Sequence, residues 1–106
     1  MFEAIGEPAR RGLLELLRSG PRAVGELSAH SGISQPSTSK HLRALREAGL
    51  VESRSAGRHR LYGLRAEGFA ELARWLVPYA RLWQERLDAL ETRPAARGAE
   101  AARAID

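Results

Sequence analysis

The apolar positions change their period along the chain, and each change marks an element. Ile5, Leu13, Leu14, Leu16 and Leu17 recur at helical spacing up to Arg18. Pro8 follows Glu7, and proline suits a first helical turn because that turn has no use for its missing N–H. This predicts a short helix at about 1–5 and a second at about 8–18, ended by Ser19-Gly20-Pro21. Val24 to Ser31 reads as a third short helix, with Val24 and Leu27 inward and Gly32 as its stop. Ser34 is the expected N-cap of a fourth, since its hydroxyl can accept from a free N–H of the next turn. Pro36 is tolerated in that turn. Thr38, Leu42 and Leu45 then share one face, and Gly49 closes the helix in a left-handed position.

The period then shortens to two. Leu50 to Ser55 alternates, Ala56-Gly57 forms a turn, and Arg58 to Leu64 follows as a second β-prone run, so the pair predicts a hairpin. From Ala66 to Leu90 the period is helical again, with Phe69, Leu72, Leu76, Tyr79, Trp83, Leu87 and Leu90 in one stripe. Pro78 removes a backbone donor and crowds the preceding turn, so a kink or break is expected near Leu76–Pro78. The stretch RPAARGAEAARAID from Arg93 has almost no large apolar residue. Residues 1–92 therefore form the expected folded domain, and 93–106 a flexible tail. The fold class is mainly α with a small β-hairpin.

Composition narrows the chemistry. The 106 residues are 43% apolar, enough for a core, and contain no cysteine. Thiol nucleophiles, disulfides and thiolate metal sites are thereby excluded. No apolar run is long enough to span a bilayer, and MFEAIGEPARRG lacks the layout of a secretory signal, so a cytoplasmic protein is the simple expectation. Sixteen of the seventeen basic residues are arginine, a skew that reflects a GC-rich genome more than a function. Their placement says more. Between Ser34 and Arg65 seven basic residues face only Glu47 and Glu52, which is +5 in 32 residues, while the other 74 sum to −1. A local basic field of this kind suits a polyanionic partner, although a solvated surface would look the same.

Two helices joined by a short glycine-containing turn, followed by a basic hairpin, is the order of a winged helix-turn-helix. With Leu42 and Leu45 inward, Lys40 and Arg43 point outward, flanked by Ser37 and Ser39. Ser34 and Gln35 stand at the N-terminal end, which usually approaches base edges. Gln can bond adenine bidentately, and Lys or Arg can bond guanine or phosphate. Arg54, Arg58 and Arg60 supply the hairpin's charge, and His41 and His59 are further candidates for phosphate. The candidate DNA-binding set is Ser34, Gln35, Ser37, Ser39, Lys40, His41, Arg43, Arg54, Arg58 and Arg60.

The run VGELSAHSGISQPSTSKHLRALREAGLVESRSAGRHRLYGL resembles the ArsR/SmtB family of bacterial winged-helix repressors. Glu7-Pro8-Ala9-Arg10 stands where the family has D-P-x-R, and Gly57, Arg58 and Tyr62 match its wing. WLVPYARLWQERLDALE is similar to a metal-independent branch. The resemblance spans about residues 1–92. It implies a homodimer through the first and last helices, with Phe2, Ile5, Leu72, Trp75, Leu76, Tyr79, Trp83, Leu87 and Leu90 at the interface. It also implies a dimeric repressor on an inverted-repeat operator, with helix 34–48 in the major groove and wing 51–64 on the backbone or minor groove. Where family members that sense thiophilic metals carry cysteines, this chain has Ser28 and His30. One histidine cannot hold a metal alone, and no histidine follows His59, so neither metal nor other cofactor is expected. A small-molecule inducer is left open, with a small apolar pocket lined by Trp75 and Trp83 as the candidate site.

Two other classes compete. A winged-helix module for protein interaction, without specific DNA binding, is the alternative, and the +5 block argues against it. An enzyme would need a nucleophile–base pair or a glycine-rich phosphate loop. Ser39-Lys40-His41 has the residue types but lies on a groove-facing helix, so no catalytic residue is assigned.

Overall fold

The computed structural model describes residues 1–91. The expectation of a flexible tail at 93–106 lies outside them. The elements run α1 (Phe2–Ile5), α2 (Pro8–Leu17), β1 (Arg22–Ala23), α3 (Val24–Ser31), α4 (Gln35–Glu47), β2 (Val51–Ala56), β3 (His59–Leu64) and α5 (Ala66–Leu90). They group into two compact units, Met1–Ala70 and the part from Glu71 onward, with α5 beginning in the first and continuing in the second.

Local chemistry sets the boundaries in the first unit. Glu7 is extended and Pro8 opens α2. At α3 the Glu26 carboxylate accepts from the N–H of Ala23 at 3.5 Å. Ala23 has no side-chain acceptor to return the bond, so only half of a capping box forms. Gly32 ends α3 at φ +73°, which few other residues adopt without cost. Ser34 accepts from the N–H of Ser37 at 3.3 Å and starts α4.

The core gathers Ala4, Leu13, Leu17, Leu27, Leu42, Leu45, Leu50 and Val51. Leu42 and Leu45 are fully buried, and each contributes roughly 1.5–3 kcal/mol by leaving water. Thr38 is equally buried, and its hydroxyl sits 3.5 Å from the carbonyl of Ile33. The buried seam of α4 is therefore the Thr38, Leu42, Leu45 face that the spacing predicts.

The hairpin forms with Ala56 opposite His59 and Val51 opposite Leu64. Gly57, at φ +62°, turns the chain between them. The sequence pattern missed one strand. β1 pairs antiparallel with the other edge of β3, Arg22 with Tyr62 and Ala23 with Leu61, giving the order β1-β3-β2. Two residues show no alternation, so only the open edge of β3 could have revealed it. Of the kink or break expected near Leu76–Pro78, the break does not occur: α5 continues from Ala66 to Leu90 with Pro78 inside it. Proline withdraws one hydrogen bond from a 25-residue ladder, and Arg74, whose carbonyl loses its partner, is exposed where water can replace it. Among the described residues no helix is long and apolar enough to cross a membrane.

Candidate nucleic-acid interface

The exposed side of α4 is continuous and basic. Ser34, Gln35, Ser37, Ser39, Lys40, Arg43, Arg46 and Glu47 all lie open to solvent. Arg43 Nε donates to Glu47 Oε1 at 3.1 Å, one turn on. Both side chains are mostly exposed, so this pair holds Arg43 by only about 0.3–0.5 kcal/mol and releases it easily. Among the described residues the side chains of Lys40, Arg46, Arg54 and Arg58 make no hydrogen bond or ion pair. No described residue neutralises these charges.

The register of the hairpin sorts its basic residues. Ser55 lies opposite Arg60 and Ser53 opposite Tyr62, so these four side chains share one face of the ladder. Arg60 Nη1 donates to Ser53 Oγ at 3.0 Å along that face. Arg54 pairs with Leu61 and projects from the opposite face. Tyr62 joins the first face to α4: an open groove of about 580 Å³ is lined by Ser39, Arg43, Arg46, Glu47 and Tyr62. A neighbouring groove of about 640 Å³ runs past Gln35, Arg58, His59, Arg60 and Tyr62 and the start of α3. The structure thus brings Gln35, Ser39, Arg43, Arg58 and Arg60 around α4 and one face of the wing, and sets Arg54 apart.

Arg46 and Tyr62 were not singled out as site residues from the sequence. Arg46 could have been, since it lies three residues after Arg43 on the same helix face. Tyr62, expected in the wing, packs against the core and also lines the groove beside α4, which only the register of β3 against β2 reveals.

His41, a candidate for phosphate, is half-buried: its Nδ1 accepts from Arg10 Nε at 3.3 Å and lies 3.6 Å from the Glu7 carboxylate. It sits one step from Leu42 on the buried seam, and 100° of helix rotation carries it toward α2. Ser39 and Lys40 are exposed, whereas His41 is half-buried against Arg10. Ser28 and His30 also have local duties. The Ser28 hydroxyl donates to the carbonyl of Ile33, and His30 Nδ1 lies 3.0 Å from the carbonyl of Glu26. Among the described residues no three His, Asp or Glu side chains cluster as metal ligands would.

α5 presents a different surface. Trp75, Leu76, Val77, Tyr79, Leu82, Trp83 and Leu90 are each at least 42% exposed, and Trp75 stacks on Tyr79 with ring centroids 4.5 Å apart. Of the residues expected at an interface, Leu72 is buried and Ile5 packs against the core of the first unit.

Residues 7–53 match the model of the bacterial regulatory protein, arsR family. An HTH-type transcriptional regulator of Mycobacterium tuberculosis is 39% identical over 89 residues, covering 76% of this chain and 83% of its own length. The chain belongs to the arsR family. Similarity extends to the transcriptional repressor SdpR of Bacillus subtilis, at 32% identity over 74% of this chain and 88% of that protein. The arsR-family chain also superposes on solved structures. A "possible transcriptional regulator for arsenical resistance" has a TM-score of 0.72 at 41% identity, covering 87% of this chain and 96% of that one. The homodimeric winged helix-turn-helix DNA-binding domain from Mycobacterium bovis has a TM-score of 0.62 at 32% identity, covering 74% and 73%. The α2–β3 region described above is the winged helix-turn-helix of this family, with α3 and α4 as the helix pair and β2–β3 as the wing.

Proposed function

We propose that this arsR-family protein is a sequence-specific DNA-binding transcriptional regulator, acting as a homodimeric repressor on an inverted-repeat operator. α4 enters the major groove, and the β2–β3 wing follows the backbone or minor groove beside it. The observation that carries this reading is the arginine-rich lining shared by α4 and one face of the wing, in which Arg46 and Arg58 have no partner among the described residues. Gln35, at the exposed start of α4, is placed to read a base edge, and Arg43 can read guanine once it leaves Glu47. Lys40, Arg46, Arg58 and Arg60 supply phosphate contacts. Ser37 and Ser39 let the helix approach closely.

The second copy is supported by the exposed apolar face of α5, where Leu76, Val77, Tyr79, Leu82 and Trp83 would otherwise stay in water. Two recognition helices related by a dyad would read half-sites about one helical turn, ~34–36 Å, apart. No metal or cofactor is assigned, and no catalytic role.

Fluorescence anisotropy with a random-sequence duplex and with the duplex that the protein enriches from a randomised pool tests the reading. The expected result is tighter binding to the enriched duplex, and a log affinity falling with log salt by about 0.9 per phosphate neutralised. Binding that ignores salt and shows no sequence preference would favour a protein-interaction module.

A further inference from the structure

The buried seam of α4 sets which face of the helix turns inward, and a directional contact at the edge of that seam can narrow its roll further. Leu42 and Leu45 pack through non-directional apolar contacts, and the Thr38 hydroxyl reaches only the Ile33 carbonyl in the turn just before α4. Hydrogen bonds to side chains are directional, and α4 has one such tie to another helix. Among the described residues, the bond from Arg10 Nε to His41 Nδ1 is the side chain–side chain hydrogen bond that joins two helices. Its two side chains are only 22% and 20% exposed, so water competes with it weakly.

Arg10 is itself held. Its Nε lies 3.9 Å from the Glu7 carboxylate, and its Nη1 reaches the carbonyl of Glu3 in α1 at 3.5 Å. Glu7 also lies 3.6 Å from His41 Nδ1. Arg10 has only donors, so in this bond Nδ1 is the acceptor. One guanidinium thus connects α1, the start of α2 and the middle of α4.

We propose that Arg10 is a positioning residue for DNA reading: through His41 it sets the roll of α4, and so the aim of the residues that meet base edges. His41 lies between Lys40 and Arg43 in the helix but touches neither DNA-facing groove. With a helix radius of about 5–6 Å including side chains, a roll of ~20° would move side-chain tips by roughly 2 Å. That displacement breaks a bidentate base contact, whose length tolerates only a few tenths of an ångström, while a charge–phosphate attraction survives it. Loss of the tie should therefore cost specificity and spare non-specific affinity.

This inference rests on the DNA-binding reading above, and the two can fail separately. The probes are a random-sequence duplex and the duplex enriched by the wild-type protein from a randomised pool. If the wild type enriches nothing, the DNA-reading proposal itself falls. Given enrichment, Arg10→Met, which keeps the aliphatic stem, should lower the enriched-over-random affinity ratio by about tenfold, the scale of one base contact, with random-duplex affinity and salt slope unchanged. His41→Leu should do the same. His41→Asn should retain the ratio, because its amide oxygen can take the place of the accepting Nδ1. The double variant Arg10→Met/His41→Leu should be no worse than either single change. Equal losses on both duplexes, an unchanged ratio in Arg10→Met, or a His41→Asn as poor as His41→Leu would each overturn the assignment. Circular dichroism reports folding, and if Arg10→Met does not fold, the contrast between His41→Leu and His41→Asn decides.

Discussion

A methyl group on Gly68 would run into the carbonyl oxygen of Gly49. The two glycines mark where the chain leaving the wing returns to the end of α4. Gly49 itself stands at φ +81°, just beyond the last turn of that helix. Beside the contact, the N–H of Arg65 donates to the carbonyl of Leu50 at 2.9 Å, and Arg65 Nη1 reaches the carbonyl of Gly49 at 3.4 Å. Backbone lies against backbone here, so nothing flexible can yield. Gly68→Ala is expected to destabilise the fold by about 1–3 kcal/mol, the usual range for overpacking. This outweighs the gain of up to ~1 kcal/mol that alanine normally brings to a helix interior. Urea unfolding checks it, and a midpoint at or above wild type would contradict the close approach.

Much of this arrangement is legible in the sequence, and what is not has a physical reason. The α4 seam follows from three residues at helical spacing, and the hairpin from alternation around a glycine. Gly68 carries no such signal, because the need for its missing side chain arises only when Ala66 onward folds back on Gly49. The orientation of His41 is hidden for a similar reason. Its position on the helix flank is compatible with either neighbour until Arg10, 31 residues earlier, is placed beside it. Periodicity registers which face is apolar, and says little about polar side chains at the edge of that face.

Ser34 separates helix stability from DNA contact. Its hydroxyl caps α4 through the N–H of Ser37. Ser34→Ala should cost about 0.5–2 kcal/mol. Ser34→Asp should keep the cap and the stability but weaken binding to any duplex, since it sets a negative charge where a phosphate would approach. Urea denaturation and anisotropy on the same two proteins check both halves.

Glu47 holds Arg43, one of the residues proposed to meet DNA. Glu47→Gln frees Arg43 and removes a negative charge from the groove shared with Arg46 and Tyr62. The expected result is tighter binding to random DNA and a steeper salt dependence, with stability within about 0.5 kcal/mol of wild type. Unchanged random-duplex affinity would mean that this groove does not meet the phosphates.

Trp83 tests the assembly. It is 57% exposed, with Leu82 beside it. In a dimer through α5, Trp83→Glu would bury an unpaired charge and should shift the protein to monomer by light scattering. Operator binding should weaken along with it, because two half-sites would no longer be engaged together. A variant that keeps the wild-type mass distribution would place the second copy on another surface.

The wing makes the sharpest demand, because its register assigns different duties to chemically identical residues. Arg60 shares a face with Tyr62 and lines the groove beside Gln35, Arg58 stands at the turn in the same groove, and Arg54 projects from the other face. Phosphate contacts hold a protein on DNA and carry little sequence information, whereas base contacts discriminate. Arg58→Ala and Arg60→Ala should weaken enriched and random duplexes alike, each lowering the salt slope by roughly one unit. Arg54→Ala should do so less than either. Gln35→Ala and Arg43→Ala should instead relax sequence preference, by about 1–3 kcal/mol where the lost contact is bidentate. Arg60 carries one complication: its bond to Ser53 steadies the side chain, so Ser53→Ala should produce a weaker version of the Arg60→Ala effect. A salt titration of all six variants on both duplexes, with circular dichroism as the folding control, checks the division. If Arg54→Ala flattened the salt slope while Arg58→Ala and Arg60→Ala left it unchanged, the wing would meet DNA with the face opposite to the one that α4 shares.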